Sequence, residues 1–325
     1  MQCIICKKDK PHDKFTEEHI FPDSIGGNII LDCVCKECND FLGHSVDSNL
    51  VNHVFVQFNR LALKIAGKSG KIPNPLAEGY INDSQEKIQY IFNNSGIPKE
   101  LRIFPKIQIF SGDNGILEIQ IDADVKDRDK LTSIINKKLK RLGLDDLSKE
   151  EKQKIENAQP LPGERPLIRK TLAIDIFRYK RAIIKIAYEL AYYWLGATYL
   201  NDEIGELLRL SIMDNSLEGL WLKKYPIDAN IDLIGEKTIF PYWTDEKDHH
   251  IGLIQRLDSN LICCIKIFNI FQGIIIISKN AHLYPTFIDK FIAINAQTQE
   301  SRESDLETEL LKITESIITH SGIEF

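Results

Sequence analysis

Two cysteine pairs, Cys3-x-x-Cys6 and Cys35-x-x-Cys38, constrain this chain more than any other feature of its sequence. The x-x spacing lets both thiolates of a pair reach one ion from a tight turn, and two such knuckles close a tetrahedral zinc site. A minimal ribbon needs roughly 15–20 residues between its pairs, yet 28 separate Cys6 from Cys35. Something is inserted between the knuckles. The insert carries Glu18-His19-Ile20-Phe21-Pro22 and then Gly26-Gly27, and the last cysteine is followed directly by Asn39, with Gly43-His44 beyond.

The insert reads as a hairpin. Phe15 to Phe21 is the first strand, and Pro22 ends its pairing because it has no amide to donate. Gly26-Gly27 relieves the steric cost of the turn, and Asn28 to Val34 is the second strand, leading straight into the second knuckle. A helix follows Asn39: Val46, Leu50, Val54, Phe58, Leu61 and Ile65 recur at three- or four-residue intervals. Ser45 or Asp47 caps its start and Gly67 stops it. This helix packs on the hairpin and holds Asn39 opposite Glu18. Gly70 to Pro75, with Pro73 and Pro75, is the linker that closes the module.

The combination of knuckles, Glu-His-Ile-x-Pro and the run Cys35-Lys36-Glu37-Cys38-Asn39-Asp40-Phe41-Leu42-Gly43 resembles the HNH nucleases of the ββα-metal superfamily. It is most similar to their zinc-bearing, four-cysteine members of the phage recombination-endonuclease type. The resemblance implies that Cys3, Cys6, Cys35 and Cys38 hold a structural zinc. It implies that Glu18 and Asn39 are ligands of a catalytic Mg²⁺ or Mn²⁺, hard cations suited to oxygen donors. His19 is then the general base, since a neutral imidazole takes a proton from water at working pH. The middle residue of the motif, which orients the catalytic histidine, has Ile30, Leu31 and Asp32 at its expected place. Asn28 and Asp32 are the nearest polar candidates, Asn28 being the one named here, and a backbone carbonyl is an alternative. His44 is a possible counterpart of the family's third histidine, a role Asn39 already fills.

Each of these residues also has a plainer reading. Four cysteines also make a zinc ribbon that only binds a partner or nucleic acid, and His19 is then an extra ligand or a packed histidine. Cys33, two residues before Cys35 on a strand, points the same way as Cys35 and reads as a core thiol. His12 and His53 read as surface or packing residues.

Composition bounds the rest. With 325 residues, 43% hydrophobic and 27% charged, the chain has the makeup of a globular protein of two domains. No apolar run approaches a membrane span, and a cysteine knuckle stands where a leader's apolar segment would be. The expectation is a cytosolic protein, where cysteines stay reduced and free to bind metal. A net charge of −6 argues against coating DNA everywhere, but a nuclease needs positive potential only at its groove. Arg60, Lys64, Lys68 and Lys71, next to the cysteine module, are the expected DNA contacts. Lys137, Lys138, Lys140 and Arg141 form a second group, and Arg165, Arg169, Arg178, Lys180 and Arg181 a third. A solvated helix face is the default reading of such runs.

The sequence-based expectation is therefore an α+β chain in two parts. Residues 1–75 are a zinc-stapled HNH module. Residues 76–325 are a larger mixed domain that selects substrate, partner or signal, with a hinge at 159–166. Within it, Arg102 to Phe110 and Ile116 to Ile121 read as a hairpin through Asn114-Gly115. Leu131 to Leu142, Ser148 to Ala158, Phe177 to Leu195, Glu203 to Met213 and Leu306 to Ile318 read as helices. Ile251 to Leu257, Leu261 to Ile270 and Gly273 to Ser278 read as successive strands, with Cys263 and Cys264 as core thiols and Tyr192-Tyr193-Trp194 as packing. No residue after 75 carries recognisable chemistry. The expected function is a metal-dependent DNA endonuclease, with DNA as partner and RNA as a lesser alternative. By analogy with bacterial anti-phage effectors and restriction-like systems, a defence-system protein or a signalling nucleotide bound through residues 76–325 would gate the cut. The competing reading is a non-catalytic zinc adaptor.

Overall fold

The N-terminal hairpin pairs Phe15–His19 (β1) with Ile30–Cys35 (β2), antiparallel, with His19 opposite Ile30 and a bulge between Thr16 and Glu18. The turn between them is fixed by Gly26, whose φ of 94° is open to glycine but strained for other residues; a Cβ there would lie 2.1 Å from the Ala296 carbonyl oxygen. Cys35 is extended at the end of β2 and stands at the N-cap of Lys36–Phe41 (α1). Both Cys38 and Asn39 are therefore on α1, one turn in, rather than ahead of the helix. A π-helical segment, Leu42–Asp47, joins α1 to Ser48–Val51 (α2). The expected single helix is broken at Asn52-His53, because His53 is extended and turns its side chain back to accept from the Phe55 amide, capping Val54–Ala62 (α3).

The computed structural model describes residues 1–67, 70–81, 86–93, 98–111, 117–159, 167–216, 224–233, 239–240 and 247–321. It divides the chain into two compact units, residues 1–74 with 173–325, and residues 75–172. The expected grouping of 76–325 as one domain differs from this division: residues 173–325 belong with the N-terminal module, because the two share one core.

Residues 75–172 form the second unit. Glu78–Ile81 (β3), Lys87–Phe92 (β4) and Pro98–Ile103 (β5) lie in a sheet of order β5-β4-β3-β8, where β8 is Ile168–Arg169. Lys106–Ser111 (β6) and Leu117–Asp122 (β7) make a separate antiparallel pair. The expected strand over 102–110 is thus two strands in two sheets, parted at Phe104-Pro105, where proline has no amide for a ladder. The Asn114-Gly115 turn lies outside the described residues, as do 160–166 of the expected hinge and Arg165. Arg128–Arg141 (α4) and Lys149–Asn157 (α5) follow; Ser148 caps α5 through a reciprocal box with Glu151. The core here is small, built on Ile107, Ile135, Leu139 and Leu147.

The remainder of the first unit is a six-stranded antiparallel sheet with helices on both faces. Its strands are Ala229–Leu233 (β9), His249–Leu257 (β10), Asn260–Ile267 (β11), Phe271–Ser278 (β12), Lys290–Asn295 (β13) and Ser301–Ser304 (β14), in the order β14-β13-β10-β11-β12-β9. One face is covered by Tyr179–Leu195 (α6), Glu203–Met213 (α7) and the N-terminal module, the other by Leu306–Ser321 (α8). Cys263 and Cys264 fall on opposite faces, as alternation along a strand requires. Helix α6 stops at Gly196.

The N-terminal module is embedded against α6 and α7. Tyr188 Oη donates to the Ile4 carbonyl at 2.7 Å, Arg209 to that of Ile5 at 2.6 Å, and Lys7 pairs with Glu206 at 2.6 Å. His250 on β10 stacks on Phe21 and bonds the Ile25 carbonyl at 2.8 Å, fastening the hairpin turn to the sheet.

Candidate active site

The first knuckle is a tight turn in which Lys7 takes a left-handed conformation (φ 55°), its amide bonds the Cys3 carbonyl at 2.8 Å, and Gln2 and Asp9 bridge across it. The second knuckle is the β2–α1 junction. Together they bring the sulfurs of Cys3, Cys6, Cys35 and Cys38 within 4.8 Å of one another, with Cys6 and Cys35 3.9 Å apart. Zn–S bonds of about 2.3 Å set sulfurs about 3.8 Å apart at the corners of a tetrahedron, so this set fits a structural zinc. The Cys35 amide donates to Cys3 Sγ at 3.3 Å and the Lys10 ammonium to Cys35 Sγ at 3.3 Å, both favouring thiolates. The Cys38 thiol, aided by that amide, brings the Cys3 pKa down to about 4, and sharing the proton pushes Cys38 up in turn. Cys33 is not in the cluster; it is buried, and burial pushes its thiol up to about 12.

Beside the zinc site lies a cavity of about 580 Å³ whose wall includes Glu18, His19, Asn39, Asp47, Arg60 and Lys71. Glu18 and His19 come from the end of β1 and Asn39 from α1. The Asn39 amide nitrogen donates to the Thr16 hydroxyl at 3.1 Å and to the Glu17 carbonyl at 2.8 Å. With its donor so fixed to β1, its carbonyl oxygen is the part left to act as a ligand.

Glu18 is not an open surface carboxylate. It is buried, and its Oε1 lies 2.5 Å from Nζ of Lys185, a fully buried lysine of α6. The same ammonium donates to the His19 carbonyl at 2.6 Å and to Asp47 Oδ2 at 3.3 Å. It also stands 3.1 Å from Glu189 Oε2, one turn along α6, but outside hydrogen-bond geometry, so Glu189 gains proximity to charge and no bond. Burial opposes the lysine's charge, and Asp47, Glu18 and Glu189 together outweigh it and hold the ammonium above its ordinary pKa. Burial pushes Glu189 well above the usual carboxylate range, and pushes Asp47 up to about 6 against the pull of Lys185. The Oδ1 of Asp47 is buried with no hydrogen bond. Asp47 was expected at most as a helix cap; it sits instead in the π-helical segment, facing Lys185. The signal for Lys185 was present in the sequence as a lysine and a glutamate four apart inside the apolar run of α6.

Asn28 does not join His19. Its Nδ2 donates to the Gln299 carbonyl at 2.6 Å and Ser301 Oγ at 3.2 Å, so the β13–β14 turn has claimed it, and it is absent from the cavity wall. The residue directly opposite His19 is Ile30, exposed and apolar. His44 is exposed and is not part of the cavity wall, though its neighbour Gly43 is, and His53 is a packed helix cap whose Nε2 bonds the Asp175 carbonyl at 2.9 Å.

Of the four basic residues expected to meet DNA, Arg60 and Lys71 line the cavity, Lys64 is exposed outside it, and Lys68 lies outside the described residues. In the third basic group Arg181 is no solvated face: it is buried and donates to the carbonyls of Asp214 and Ser45. Among the described residues no helix is long and apolar enough to cross a membrane.

Residues 3–55 match the family model described as HNH endonuclease. No curated protein and no solved structure matches the chain. The matched stretch contains both knuckles, Glu18, His19, Asn39 and Asp47, and its cysteines cluster as a zinc site, so the N-terminal segment of this chain carries an HNH endonuclease module.

Proposed function

We propose that the protein is a metal-dependent DNA endonuclease that cuts at the cavity beside its zinc site. The observation that carries this reading is the convergence of Glu18, His19 and Asn39, from two separate elements, on one cavity. Lys185 sits against Oε1 of Glu18; on this reading the Glu18 carboxylate and the Asn39 carbonyl oxygen are the donors for a divalent cation, Mg²⁺ or Mn²⁺. When bound, that ion stabilises charge on the phosphorane and the leaving oxygen. His19 takes a proton from water as the water oxygen bonds to phosphorus. The P–O3′ bond breaks, and the products are a 5′-phosphate and a 3′-hydroxyl that has recovered a proton from solvent. Lys185 positions this apparatus from outside the module: it grips the His19 carbonyl and the Glu18 carboxylate at once, which fixes the end of β1.

The engagement of Glu18 with Lys185 is also the observation that would favour a zinc adaptor without catalysis. Incubating the zinc-loaded protein with plasmid, linear and single-stranded DNA, with and without Mg²⁺, separates the two. The nuclease cuts only with Mg²⁺ and leaves 5′-phosphate ends; an adaptor binds in both conditions and cuts in neither. An RNA arm decides between the nucleic acids. The separate unit of residues 75–172 is where we place gating or substrate selection, of the kind a cytoplasmic anti-phage effector or restriction-like nuclease needs. Co-purification with the product of a neighbouring gene tests that role.

A further inference from the structure

Arg60 lies in the last turn of α3, where the C-terminal turn holds it in place: Lys64 is left-handed (φ 57°), and the Ile65 amide closes back on the Arg60 carbonyl at 2.8 Å. Its side chain is 5% exposed and lines the cavity that holds Glu18, His19 and Asn39. Among the described residues no carboxylate lies within ion-pair distance of it, and its Nε is buried with no hydrogen-bond partner. Two other buried cations of this unit have partners: Lys185 has three carboxylates around it, and Arg181 donates to two carbonyls and an amide oxygen. A guanidinium largely removed from water with no anion beside it is unfavourable, so its place in the cavity wall suits an anion that arrives from solution. Room for one is built in. A Cβ on Gly67 would stand 3.1 Å from Arg60 Nη2 and 3.4 Å from Ser24 Oγ, and glycine leaves that corner open beside two donors.

We infer that Arg60, with the Ser24 hydroxyl beside it, forms a phosphate-binding subsite in the wall of the candidate active site, and that a phosphodiester group of the nucleic acid is its ligand. The inference deepens the nuclease reading and rests on it for the identity of the ligand, while the anion site itself stands on burial and missing partners. A guanidinium offers a planar fork of donors that matches two oxygens of one phosphate. This separates Arg60 from Lys64, which is exposed and contributes only diffuse positive charge.

The test uses the full-length, zinc-loaded protein without Mg²⁺, so that nothing is cut. Thermal midpoints are read in inorganic phosphate and in chloride at matched ionic strength, and short-duplex affinity is read across a salt series, for wild type, Arg60→Met, Arg60→Lys and Lys64→Met. We expect phosphate to raise the wild-type midpoint and not that of Arg60→Met. We expect Arg60→Met to weaken duplex binding about tenfold or more and to lower the salt slope by about one phosphate contact, with Lys64→Met within about threefold of wild type. Removing an uncompensated buried charge should also leave the midpoint of Arg60→Met in chloride equal to or above that of wild type, which a merely structural arginine would not do. Should Arg60→Met fail to fold, Arg60→Lys carries the test: charge without the fork should retain a phosphate response weaker than wild type by several fold. Phosphate response and duplex affinity unchanged in a folded Arg60 variant overturn the inference, and leave the nuclease reading intact if Mg²⁺-dependent cleavage persists. A phosphate response that depends on Arg60 in a protein that cuts no nucleic acid upholds the subsite and removes the nuclease.

Discussion

In residues 1–74 and 173–325, charged side chains lie inside the core: Lys185, Glu189 and Glu18 meet in one cluster, Arg60 lines the same cavity as Glu18, and Arg181, Asp202 and His250 are buried elsewhere. In residues 75–172, Asp127 is the one such buried side chain among the described residues, 3.8 Å from the half-exposed Arg102, and other ion pairs are solvent-facing, as between Lys126 and Glu100. The first unit also has the larger apolar core, in which Cys3, Phe21 and Val46 pack together with α6 and the sheet; the second has a cluster of four buried residues with a fringe, and Ile88 buried apart from it. Burying charge is destabilising unless partners and geometry offset it. In the first unit some of these groups, Glu18, Asp47 and Arg60 among them, line the cavity proposed as the active site.

The contrast can be broken most severely by taking the zinc away. Structural zinc contributes on the order of 10 kcal/mol to folding in small modules. A chelator should therefore strip amide protection from β1, β2 and α1, and weaken it along α6, while β3 to β5 and α4 exchange as before. Hydrogen exchange read by segment checks this, and equal loss in both units would mean the zinc is not specific to the first.

Next in size is Lys185→Met. It leaves Glu18 buried beside Asp47 and Glu189 without a cation, and about 3–5 kcal/mol of stability should go, read as a shift in the urea midpoint of the first unit. The companion change in the second unit, Lys126→Met, removes an exposed pair and should give no resolvable shift. Matching effects from the two substitutions would erase the contrast.

A third test uses pH. His250 sits with Nε2–H donating to the Ile25 carbonyl and Nδ1 accepting from the Phe268 amide at 3.3 Å. Burial brings its pKa down to about 4, since a second proton would face the Phe268 amide. The folded pKa is below the unfolded one, so the neutral ring contributes stability above about pH 6.5 that is lost as pH falls toward 4. The full window is worth about 3 kcal/mol. Asp47 runs the other way: its folded pKa of about 6 is raised, so its contribution is present at low pH and lost as pH rises through 6. The two windows overlap, so the measurement is the difference between wild type and His250→Phe in urea unfolding from pH 7 to 4. The variant should show the shallower acid loss, and an unchanged profile would remove His250 from the account.

The zinc knuckles were legible because thiolates that share an ion must come as close pairs; Glu18, His19 and Asn39 were expected from the resemblance, and they line one cavity. Helix α7 was legible from end to end because Asp202 caps it and its apolar stripe is regular. The bonds of Asn28 could not be read locally because its partner, the β13–β14 turn, lies about 270 residues away in a strand pair that carries no local signal. The division at 75 hid a second fact for the same reason. Lys185, Glu206 with Arg209, and His250 reach the N-terminal module from three separate elements along residues 173–325, and no stretch of sequence announces that they share a core with Cys3. Long-range pairing, rather than local propensity, is what completes the site.

The central claim is that His19, held at the mouth of the cavity by the zinc-stapled hairpin and by Lys185, activates the water that cuts DNA. It is tested most directly by comparing wild type and His19→Ala, both zinc-loaded, for duplex affinity and for Mg²⁺-dependent strand scission. The account predicts affinity within a few fold of wild type and cleavage reduced by at least about a hundredfold. Scission by His19→Ala at the wild-type rate would contradict it.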